Sequence, residues 1–177
     1  MNLLDTFFTA LYTIPLEQAA LWSLLGNIVM FAFALLLGEL LVHAFHDRAN
    51  SPPPEPLTRQ EVLLALICVL LNTLVAIIGL VLWRANIIVL RPNGDVLATL
   101  LDVAVLILLM DFGMYVFHRA AHHPLLYPII HRTHHLYENP RPLTLFVLNP
   151  FEVLGFGALL IVVILVVCST IPPAPCQ

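Results

Sequence analysis

Residues 111–135 read DFGMYVFHRAAHHPLLYPIIHRTHH, and they hold six of the chain's eight histidines. The stretch opens as an apolar helix and acquires His118, His122 and His123 as it ends. Pro124 follows directly, and the residue before a proline is pushed out of the helical region, so the helix should stop there. Pro128 suits the first turn of a new short helix carrying His131, His134 and His135. The pattern predicts a helix–break–helix element at a membrane surface, with the imidazoles outside the lipid.

The spacing within that element is the second clue. His118 and His122 are four apart, so they leave one helical face one turn apart. The same face carries Tyr115 and Asp111 further back, a polar stripe on an otherwise apolar helix. Polar and ionisable residues near a membrane usually face a protein interior or a site. His131 stands three and four residues before His134 and His135, and all three can converge on one side of a short helix. His123 lies about 100° round from His122 and fits that face less well. Imidazoles gathered in this way are suited to transition metals, with zinc, copper, iron and nickel all compatible. Metal-bound histidines usually give their second N–H to a carboxylate or carbonyl, a role open to Asp111 or Asp102. HRAAH lacks the glutamate of the HExxH zinc-protease pattern, which removes that chemistry's general base.

Working outward, the 177 residues are 60% hydrophobic and only 10% charged, with a mean hydropathy of +0.97. Soluble domains carry about 25% charged residues, so the composition is that of a membrane protein. There is no basic patch, which argues against a nucleic-acid partner. Met1–Gln18 holds no positive charge, which argues against a cleaved secretory signal. Cys68, Cys168 and Cys176 show no paired spacing and no disulfide framework is indicated.

About 20 apolar residues are needed to span a bilayer. Four segments qualify, at about 19–42, 62–83, 96–117 and 151–169, giving an all-α, multi-pass helical bundle in which residues 1–177 form a single membrane domain. Met1–Leu16 is shorter and mixed, the pattern of a segment lying along the interface. A proline-rich linker follows the first span. Thr58 and Glu61 form a capping-box pattern at the start of the second span. Arg91–Asp95, RPNGD, reads as a tight turn between the second and third. Within the spans, Glu39, Asn72 and Asp102 are candidates to line a substrate path or to hydrogen-bond between helices, with the second favoured for Asn72.

All seven basic residues are arginines. Arg48, Arg59, Arg119, Arg132 and Arg141 fall in the first and third connections, whereas Arg84 and Arg91 fall in the second. The positive-inside rule then places the histidine region in the cytoplasm and both termini outside.

The segment DFGMYVFHRAAHHPLLYPIIHRTHH with the following NPFEVLGFG (together within residues 111–157) resembles the fatty acid hydroxylase and sterol desaturase superfamily. His118 and His122 look like its first histidine box, HxxxH. His131, His134 and His135 look like its second, HxxHH, and Asp111, Phe112 and Tyr115 look like its preceding residues. The resemblance implies an integral membrane oxidoreductase with two non-haem iron ions, using dioxygen to hydroxylate or desaturate a lipid drawn from the bilayer. It implies a separate electron donor, a haem or iron–sulfur carrier with its reductase. The chain has Asn149-Pro150 where members often have His-Pro, and no histidine after His135, where the family carries a third box. It therefore reads as the N-terminal part of a longer family pattern. His43 and His46, with Asp47, are candidates to supplement the site, although an interfacial role at the end of the first span is favoured. The alternatives are a non-catalytic family remnant and a membrane metal-binding or transport protein, the latter disfavoured because transporters place ligands near the midplane. The bacterial inner membrane is favoured over the endoplasmic reticulum.

Overall fold

The four apolar runs become four long helices. A computed structural model describes residues 3–46, 54–89, 96–137 and 139–170, and among them there is no strand. The helices are α1 (Leu3–Thr13), α2 (Leu16–Ala44), α3 (Arg59–Arg84), α4 (Val96–Ala121) and α5 (Pro150–Thr170). The last four are each long and apolar enough to cross a membrane, which makes this a helical membrane bundle. They run a few residues past the apolar segments at most ends, so that α4 includes His118. The linker prolines up to Pro53, the Arg91–Asp95 turn and residues 171–177 lie outside the described residues.

The helices pack as a row, α2 against α3, α3 against α5, and α5 against α4. The two central helices carry most of the buried positions: Ala65, Cys68, Val69 and Thr73 on α3, and Val153, Val163 and Val167 on α5. The flanking helices leave Trp22, Met30, Phe33, Leu97, Leu108 and Phe112 exposed. In water such a surface would be untenable, but lipid tails solvate it at no cost. Association in lipid then depends on close packing, and α5 achieves it with two glycines. Gly155 meets the Phe117 ring of α4, while Gly157 meets Val75 of α3, and a Cβ at either position would come within 2.4 Å or 2.3 Å of those side chains. Residues two apart point about 200° apart on a helix, so one dipeptide step lets α5 lie tight against both neighbours.

The ends of the helices converge on the chain between α4 and α5. His131 in that connection meets Glu152 at the start of α5, Arg141 meets Glu61 at the start of α3, and Pro142 lies against Gly38 of α2. The start of α3 is closed by the expected capping box. The Thr58 hydroxyl accepts from the Glu61 amide at 3.2 Å, and the Glu61 carboxylate accepts from the Thr58 amide at 2.8 Å. At the opposite end of the bundle, α1 rests on the C-terminal end of α3 through Phe8 and Tyr12 against Trp83, and Arg84 donates to the Leu11 carbonyl.

Two expectations about local structure need correction. The segment after Pro124 is not a short α-helix but a π-helical turn, Tyr127–His131, followed by a separate 3-10 turn, His134–Leu136. The Arg132 amide reaches five residues back to the Tyr127 carbonyl at 2.8 Å, the widened ring that defines a π turn. Among the described residues, Asn72 pairs within its own helix rather than between helices. Its amide lies 3.8 Å from the Cys68 sulfur, one turn earlier on the same helix.

Candidate metal centre

Four imidazoles converge at this end of the bundle. One ring nitrogen from each of His118, His122, His131 and His135 lies within 4.8 Å of the other three. Two come from the last turn of α4 and the residue beyond it. Two come from the π turn and the 3-10 turn that follow. Within each pair the spacing is i to i+4, which places the Nε2 atoms of His118 and His122 3.2 Å apart and those of His131 and His135 3.0 Å apart.

These separations fit one metal ion. Imidazole nitrogens bind first-row metals at roughly 2.0–2.1 Å, so adjacent donors on one ion stand about 3.0–3.4 Å apart. Two ions in a shared site sit about 3.5–4 Å apart and would need donors beyond these four. No cation-bearing side chain belongs to the cluster; it is a set of soft-to-borderline nitrogen donors, suited to iron, zinc, copper or nickel.

Burial divides the four. His131 is fully buried, whereas His118, His122 and His135 are exposed. The buried ring has a dedicated partner, because its Nδ1 pairs with Oε1 of Glu152 at 2.6 Å. An ionised carboxylate there requires the proton on Nδ1 and leaves the Nε2 lone pair directed at the cluster, the arrangement that fixes metal-binding histidines. Glu152 is 1% exposed. Asn149 holds the two sides together: its Oδ1 accepts from the Phe151 amide at 2.9 Å, capping α5, and its Nδ2 donates to the Ile129 carbonyl of the π turn at 2.8 Å. The Tyr127 ring stacks on His122 at 5.7 Å and also touches His131 and His135.

The remaining histidines are placed elsewhere. His123 turns its Nδ1 to accept from the Leu125 amide at 3.3 Å, and it is outside the four-histidine group. His43 and His46 stack on each other at 6.4 Å at the exposed end of α2 and are also outside it. The His134 side chain lies outside the described residues. Asp111 and Tyr115 are exposed on α4. The carboxylate that meets the cluster is Glu152, not Asp111 or Asp102, because the ring that needs an acceptor faces α5 rather than the earlier turns of α4. Sequence reasoning passed over Glu152 and Tyr127. The available signal for Glu152 is its isolation: it is the single charged residue in α5, one carboxylate in the first turn of an apolar span.

Residues 103–174 match the fatty acid hydroxylase family. The matched region contains all four clustered histidines together with Tyr127, Asn149 and Glu152, and it accords with the superfamily that the histidine boxes resemble. No curated protein and no solved structure matches the chain.

Proposed function

We propose that this chain is an iron-dependent membrane oxidoreductase that hydroxylates or desaturates a lipid with dioxygen. The observation that carries the reading is the convergence of four imidazoles, one of them oriented by a buried glutamate, inside the region that matches the fatty acid hydroxylase family. His118, His122, His131 and His135 would hold the iron. When bound, iron supplies the activation of dioxygen toward an unactivated C–H bond, chemistry that no side chain can provide. A second iron would need donors from beyond the four, and His134, which belongs to the second histidine box, is the candidate.

The chain's own residues contribute position and access. Glu152 keeps His131 in one tautomer and one orientation. Tyr127 packs on three of the four rings and limits their rotation. The three exposed histidines form the open face of the site, toward which a substrate carbon must be brought. The apolar flanks of α2 and α4 give a lipid substrate its approach from the bilayer. Electrons come from a separate haem or iron–sulfur carrier with its reductase. The arginine bias supports a cytoplasmic face for the site in a bacterial inner membrane, and a reporter fused after Gln177 should then lie outside the cytoplasm.

The deciding experiment is metal content of the detergent-purified protein beside a His118→Ala/His135→Ala double variant. Bound iron that the double variant loses, together with lipid oxidation on addition of dioxygen and a reductant, supports the reading. Negligible iron, or zinc that the substitutions leave unchanged, overturns it. Metal flux in proteoliposomes without lipid oxidation would mark a transporter instead.

A further inference from the structure

Away from the histidine cluster, two cavities adjoin at Arg141. The first is a polar cleft of about 300 Å³ whose walls include Glu55, Thr58, Glu61, Tyr137, Asn139 and Arg141. The second is an apolar groove of about 440 Å³ between α2 and α3, lined by Phe31, Leu35, Ala65, Leu66 and Leu143, with Glu39 and Arg141 at its edge. Each lies within the range of small-molecule pockets, roughly 300–1,000 Å³. A polar cleft and an apolar groove that share Arg141 as a wall have together the two-part character of an amphiphile.

The charges in the cleft decide which amphiphile. Arg141 is its sole cation among the lining residues, and that charge is already used. Its Nε lies 3.3 Å from Oε1 of Glu61, a carboxylate 98% buried on its side chain, and its terminal nitrogen donates to the Glu55 carbonyl. Glu55 lines the same wall and meets Arg141 through its backbone carbonyl. With its one guanidinium held by a buried carboxylate, the cleft offers no unpaired positive charge to a phosphate or a carboxylate. Thr58, Tyr137 and Asn139 supply hydroxyl and amide groups for hydrogen bonding.

We propose that the cleft and groove form one binding site for a single-chain lipid with a non-anionic, hydrogen-bonding head, the head seated beside Arg141 and the chain laid between α2 and α3. Arg141 shapes the site as an ion-paired strut, half-buried against Glu61, rather than as an anion receptor. Glu39, a carboxylate exposed at the groove's edge, reinforces the exclusion of anionic heads. Nothing in this assignment depends on a metal being bound, so it stands or falls separately from the oxidoreductase reading.

The test uses a diazirine-labelled monoacylglycerol, photo-cross-linked to the full chain in lipid nanodiscs and mapped by peptide mass spectrometry. Labels should concentrate at residues 31–39 and 62–66. Unlabelled monoacylglycerol should displace them, whereas oleate at the same concentration should not. Leu66→Trp, which fills the groove from an exposed position, should reduce labelling at least fivefold. Asn139→Ala, which touches only the cleft, should weaken competition by monoacylglycerol without moving the label sites. Labels spread evenly along the exposed faces of α4 and α5 would overturn the proposal, as would displacement by oleate equal to that by monoacylglycerol.

Discussion

Two glutamates occupy the same position in the two central helices and do different work. Glu61 is the third residue of α3 and Glu152 the third residue of α5, and both are almost completely buried, at 2% and 1% exposure. The helix start explains why a carboxylate is tolerated there, since unpaired amide groups and the helix dipole favour negative charge in the first turn. What differs is the partner. Glu61 faces a guanidinium that is always charged, and it also closes the capping box, so its interactions lock the chain after the histidines onto α3. Glu152 faces an imidazole whose second nitrogen belongs to the metal cluster. One carboxylate anchors a loop and the other aims a ligand.

Substitutions at the two positions should separate these roles. Glu61→Ala leaves Arg141 without its carboxylate and removes the half of the capping box that the Glu61 side chain supplies, while the Thr58 hydroxyl still accepts from the amide of residue 61. Losing one member of a buried pair costs about 3–5 kcal/mol, so unfolding of the detergent-solubilised protein should shift far below that of the parent, while protein that remains folded keeps its metal affinity. Glu152→Gln should do the reverse. Loss of the carboxylate behind a metal-bound histidine typically weakens metal binding about 10–100-fold, measurable by competition with a chelator, with only a small change in unfolding. If Glu152→Gln lowered stability and left metal affinity intact, the contrast between the two glutamates would collapse.

Smaller effects sharpen the same contrast. Asn149→Ala removes the α5 cap, worth about 1 kcal/mol, and also frees the π turn from α5. A modest fall in stability should be accompanied by a modest fall in metal affinity, so this position should show both phenotypes weakly. His43→Ala/His46→Ala and His123→Ala should leave metal content unchanged, because these rings stand apart from the cluster. A loss of metal in either variant would extend the donor set beyond the four histidines.

The sequence made the spans and most of the cluster legible for one reason: both are periodic. Apolar runs of bilayer length need no tertiary knowledge, and the i, i+4 spacing of His118 with His122 and of His131 with His135 is local geometry. The partner of His131 was illegible because it lies 21 residues away, across a connection whose path depends on packing. Asp111 and Asp102 were plausible substitutes only while α4 was considered alone. The type of turn was equally hidden. Pro128 signals a fresh helical start, but whether that start winds as α or π depends on where Asn149 takes hold of Ile129.

That π turn sets the phase of everything after it. It holds one more residue per hydrogen-bonded ring than an α turn, and each residue of helix advances the direction of its side chain by about 100°. The segment 127–131 therefore acts as an angular offset between the two histidine pairs, matched to where the α4 histidines already point. Apart from Tyr127 and His131, its side chains can change with little consequence for the offset, whereas its length cannot. Inserting or deleting a single residue between Leu125 and Ile130 would swing His131 away from Glu152 and His135 away from the cluster together. Outside the residues of the site, the connection tolerates errors of spelling, and throughout it forbids errors of counting.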